Sequence, residues 1–201
     1  MNTNNKTARM AGFLYLAYIV VHISGWQFRI GFVIDLFAAL LFLLTAWALY
    51  LLLKPVNQNL ALLFLLLNLG GVVMQCASDL YLPASQMLLS GADYATVFQS
   101  DQRQALAMSL LYLYKDGFMI AQIFYGAWLF PLGYTVYKSS FLPRILGMVL
   151  MIHCITWLLT SLQFFLFPGF TAITYVSWPL GFIAEFGLTL WLLVMGVKEL
   201  K

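Results

Sequence analysis

In a chain that is 63% hydrophobic and only 8% charged, each ionisable side chain raises a chemical question. The candidates are Glu185, His22, Asp79, Asp35, Lys115 and Asp116, with Arg29, Gln75 and Gln122 as further polar groups. A carboxyl group beside an imidazole is the pairing of acid–base chemistry, and in a membrane it serves proton-coupled transport or ligand binding as well. Other chemistries lack their parts. Zinc needs three or four ligands at set spacings, whereas His22 and His153 fall in separate apolar runs with no HxxxH or HExxH pattern. There is no GxSxG elbow, no paired acidic motif for magnesium and no glycine-rich phosphate loop. Cys76 and Cys154 show no metal or redox spacing and read as small buried hydrophobes. The expectation is therefore no metal and no cofactor.

The elements that must position these residues follow from composition. Globular domains carry about 25% charged residues, and a soluble chain of 201 residues could not hide this much apolar surface. The chain reads as an all-α, single-domain integral membrane protein, with the lipid bilayer as its main partner. A net charge of +3, scattered and without a basic tract, excludes nucleic acid as a partner. A helix needs about 20 residues to cross the hydrocarbon core, and six segments qualify: about 9–27, 33–53, 58–80, 116–137, 144–167 and 178–198. The first follows Lys6 and Arg9 like a signal peptide, but Ser24-Gly25-Trp26-Gln27 is a poor cleavage site, so it reads as a retained span.

Local punctuation supports these boundaries. Lys54-Pro55-Val56-Asn57 is a turn whose Asn57 can cap the third span. Pro143 opens the fifth and Trp178-Pro179 the sixth, since proline at a helix start loses no hydrogen bond. Gly70-Gly71 lies within the third span and suits close helix packing. The connection 81–115 is the only long one. Its expected amphipathic helix from Tyr94 onward would lie at the outer interface between spans three and four, separate from span four or continuous with it, as a plain connector or as a lid over a cavity.

Lys and Arg in the connections set the orientation. With the N-terminus inside, the cytoplasmic side holds Lys6, Arg9, Lys54, Lys138, Arg144, Lys198 and Lys201, and the other side Arg29, Arg103 and Lys115. Both termini are thus expected in the cytoplasm. Depth then follows at 1.5 Å per residue. Asp116 lies about 33 Å from Lys138, Asp35 about 28 Å from Lys54 and Asp79 about 32 Å from Gln58, so all three reach the outer rim with Lys115. Glu185 lies only about 20 Å from Lys198 and His22 a similar distance from Arg9, within the outer half of the core. An ionisable group at that depth normally faces the bundle interior or a wet cavity.

Arg9-Met10-Ala11-Gly12, Lys54-Pro55-Val56-Asn57, Phe141-Leu142-Pro143-Arg144-Ile145-Leu146-Gly147 and the segment from Glu185 to Lys198 resemble a bacterial multipass membrane family described only as domain of unknown function 4386. Ala184 stands where that pattern often has glycine. The resemblance implies six helices in a bacterial inner membrane and supplies no activity. The residues alone point first to an outward-facing polar pocket that binds or moves a small or lipid-like ligand, with Glu185 at its centre. A non-catalytic accessory or immunity-type protein and a membrane enzyme using Glu185 and His22 as acid and base are the alternatives.

Overall fold

The structure is a computed structural model that describes residues 3–25, 31–90, 97–169 and 171–197. It is all-α among these residues, and six of its helices are long and apolar enough to cross a membrane. They are α1 (Thr3–Gly25), α2 (Gly31–Leu53), α3 (Gln58–Asp79), which continues into the short α4 (Tyr81–Leu89), α5 (Ser100–Lys138), α6 (Arg144–Leu166) and a C-terminal span, Ala172–Met195. That last span is composite: α7 (Ala172–Gly181), a π-helical turn Phe182–Phe186, α8 (Gly187–Leu190) and a second π-helical turn Trp191–Met195.

The helix ends obey local chemistry. After the Lys54-Pro55-Val56 turn, the Asn57 side chain accepts a hydrogen bond from Leu60 N–H at 3.0 Å and satisfies one of the free donors at the start of α3. Pro143 sits at the N-cap of α6. The sixth span departs from the sequence reading: it begins at Ala172, and Pro179 lies inside it. Proline within a membrane helix is tolerated when nearby turns re-pair the freed backbone, and here the π-helical turn begins three residues later.

In the long connection the helix is continuous with span four. The residues of the expected helix before 97 lie outside the described set, and from Ser100 the helix runs unbroken into span four as one 39-residue rod. Gln99 N–H donates to Gln102 Oε1 at 3.1 Å where the rod starts. At 1.5 Å per residue α5 is about 58 Å long, roughly twice the hydrocarbon thickness. Its first third therefore extends past the bundle, where α4 packs against it.

Successive spans pack side by side into a ring in the order α1, α2, α3, α5, α6 and the C-terminal span, which closes back on α1. Val197 N–H donates to Asn5 Oδ1 at 3.2 Å, so the two chain ends share one end of the bundle, here the terminal end. The core of that half is tight. A Cβ added at Gly12 would stand 2.7 Å from the Leu193 nitrogen, and one at Gly147 would stand 2.5 Å from the Gly133 carbonyl oxygen. The backbone of α1 thus meets that of the Trp191–Met195 turn, and α5 meets α6, where small residues allow it. Toward the other end the ring is incomplete: α1 packs closely on Gly187–Met195 but has no comparable packing with Ala172–Gly181.

Candidate functional site

Above this seam, toward the end that carries the α6–α7 turn, the bundle encloses a cavity of about 730 Å³. Its size falls within the range of small-ligand sites. Tyr18, His22 and Ile23 of α1 form one wall, Phe42 and Gln75 reach in from α2 and α3, and α5 supplies Phe118, Met119, Gln122, Tyr125 and Trp128. The opposite wall is Trp157, Thr160, Ser161, Gln163 and Phe164 of α6 with Thr174 and Trp178 of α7. Glu185 is the acidic residue on this surface.

Glu185 is held from both sides. The Tyr15 hydroxyl, fully buried on α1, donates to Glu185 Oε2 at 2.5 Å. His153 of α6 places Nε2 3.4 Å from Glu185 Oε1, and its side chain is 0% exposed against 26% for Glu185. Neither ring nitrogen of His153 makes a hydrogen bond among the described residues, so the imidazole stands behind the carboxyl group rather than tied to it. Gly181 makes that placement possible: a Cβ there would stand 2.6 Å from His153 Nε2 and Cε1. The π-helical turn Phe182–Phe186 carries Glu185, and such single-turn insertions recur where a side chain is re-aimed at a functional site. Thr189 Oγ1 donates to the Glu185 carbonyl at 2.7 Å and occupies backbone that this turn exposes.

Aromatic rings brace the neighbouring wall. Tyr18 stacks on Phe42 at 4.2 Å with planes 6° apart, and Phe42 meets Trp128 edge-on at 5.0 Å. Tyr15 touches the same group, with its ring centre 6.4 Å from that of Trp128. On α5, Tyr125 donates to Gln75 Oε1 at 2.9 Å in a fully buried bond. The Tyr125 ring lies in the space that a side chain at Gly71 would fill, which is what Gly70-Gly71 provides. Buried acceptors and donors remain toward the α6 wall, where Trp157 Nε1 and Gln163 Oε1 have no partner among the described residues.

The residues singled out by sequence separate into three groups. Glu185, His22, Gln75 and Gln122 share the cavity wall. Asp35 and Asp79 lie just beyond it: His22 Nδ1 is 3.7 Å from Asp35 Oδ1, and Asp79 is buried within electrostatic reach of both. Lys115 and Asp116 are exposed on α5, and no ion pair within 4 Å involves either among the described residues. Arg29 lies outside the described residues. Glu185 takes Tyr15 and His153 as neighbours, and His22 faces Asp35. Tyr15 went unnoticed in the sequence, although Tyr15, Tyr18 and His22 recur at helical spacing on one face.

The profile of a family described as domain of unknown function (DUF4386) matches residues 17–196. The chain belongs to that family. The match takes in five whole spans and the cavity-lining part of α1, and it includes Glu185, His153 and His22 but not Tyr15. No curated protein and no solved structure matches the chain.

Proposed function

We propose that this membrane protein binds or moves a small or lipid-like ligand in the cavity, with Glu185 as its principal polar contact. The observation that carries this reading is a carboxyl group 26% exposed at the base of an aromatic cavity of about 730 Å³. Buried acidic groups in a membrane bundle are costly and normally earn their place through function. Tyr15 holds the Glu185 side chain, with His153 packed behind it, without closing it off, so one carboxyl edge stays available to a ligand. The cavity would sit in the non-cytoplasmic half if the charge distribution sets the orientation as the sequence suggests. The acid–base reading is less favoured, because the imidazole nearest Glu185 is wholly buried and can reach a ligand only through that carboxyl group.

Native mass spectrometry of the purified protein tests the proposal. A co-purifying amphiphile or small molecule is expected on the wild type, with at least ten-fold lower occupancy on Glu185→Gln at unchanged helicity. Equal occupancy on the variant removes Glu185 from binding.

A further inference from the structure

Among the described residues, α1 and the C-terminal span meet tightly from Gly187 to Met195 and have no comparable packing above Gly181, and that opening says where a ligand comes from. Both lips of this gap belong to the cavity. Ile23 on α1 is 60% exposed and Trp178 on α7 is 55% exposed, and both line it. The helices flanking the gap are among those long and apolar enough to span the membrane, so the slot faces acyl chains from the side rather than water from above. An amphipathic tryptophan at such a lip has one edge in the lipid and one in the site.

The cavity also selects a head group. No lysine or arginine lines it among the described residues, while Glu185 does. Among those residues, an anionic head would meet that carboxyl group with His22 on the wall, and His153 behind Glu185, to oppose it. Glu185 Oε1 and the unpartnered Gln163 Oε1 are instead able to accept hydrogen bonds from an amine.

Resting on the binding reading above, we infer that the ligand is a membrane-dissolved amphiphile with an amine head, reaching the cavity sideways through the slot between α1 and α7. Its head seats against Glu185 and its chain trails between Ile23 and Trp178 into the bilayer.

The test uses the full chain in phosphatidylcholine vesicles loaded with hexadecylamine, with hexadecanoic acid of equal chain length, or with butylamine in the water. Bound probe is counted by mass spectrometry after extraction into mild detergent. At least ten-fold greater retention of hexadecylamine than of either comparison probe is expected, and Ile23→Trp should slow its loading at least five-fold. Thr174→Trp narrows the opposite lip and should slow loading in the same direction if Ile23→Trp folds poorly. Equal retention of hexadecanoic acid overturns the head-group assignment. Equal retention of butylamine, or loading unchanged in both slot variants, overturns lateral access. Retention of none of the three overturns the binding proposal itself.

Discussion

The bond from Tyr15 to Glu185 joins the first span to the last across 170 residues of sequence, and its strength can be measured. Tyr15→Phe removes one hydroxyl and keeps the ring against Tyr18, Phe42 and Trp128, whose centres lie 6.2, 6.1 and 6.4 Å away. A buried hydrogen bond contributes about 1 kcal/mol net, and one to a charged group about 1.5–3 kcal/mol. Within membrane bundles the measured average is lower, about 0.6 kcal/mol, with a maximum near 1.7 kcal/mol. Glu185 is 26% exposed, so water replaces part of the lost bond and moves the value down from the charged limit. Weighing these, the bond should contribute about 1 kcal/mol, roughly a five-fold change in the folding equilibrium. The clean measurement is a double-mutant cycle of Tyr15→Phe and Glu185→Ala, by reversible unfolding in mixed micelles followed by circular dichroism. Single variants also disturb solvation, whereas the coupling term isolates the pair. A coupling within about 0.3 kcal/mol of zero would refute the claim that Tyr15 holds Glu185 in place.

Two further substitutions probe how the site is packed. Gly181→Ala puts a methyl group 2.6 Å from the His153 ring and should lower stability by about 1–3 kcal/mol as the ring is driven off its place beside Glu185. The same change in a His153→Ala background should cost much less, and an equal cost in thermal unfolding would mean that Gly181 serves some other purpose. Gly147→Ala meets only backbone, the Gly133 carbonyl and the Tyr137 nitrogen, both at 2.5 Å, so nothing nearby can yield cheaply. Its cost should reach or exceed the upper end of that range, about 3 kcal/mol, whereas Gly169→Ala, with nothing within 4 Å, serves as the neutral reference in the same assay.

Hydropathy alone placed the six spans, because a 20-residue apolar run has few other uses. It does not fix where a helix begins, because tertiary packing can carry a helix past the membrane or override a local signal. The α5 helix begins fifteen residues before Lys115, and α4 supports its extension. Pro179 looked like a helix start, yet it lies in the eighth position of α7. The candidate site was legible to the extent that depth could be counted. Counting singled out Glu185 and His22, which share a cavity, but it could not supply the neighbours of Glu185. Those depend on the rotation of the last span about its axis, and two π-helical turns shift that rotation away from any regular 3.6-residue count. Tyr15 was hidden for a different reason, since hydropathy treats a tyrosine in an apolar run as part of the run.

The seam at Gly12 gives the bundle a polarity of access. On its terminal side, α1 and the backbone of Leu192 and Leu193 are in van der Waals contact, while on the other side the slot is open. On the binding reading proposed above, such a bundle would sample one leaflet only. Whatever entered by the slot would have to leave by it, unless α1 peeled away from backbone atoms that an extra methyl group could not fit between. The proposed receptacle would then serve a single leaflet, and any crossing of the bilayer would have to begin with a rupture at Gly12.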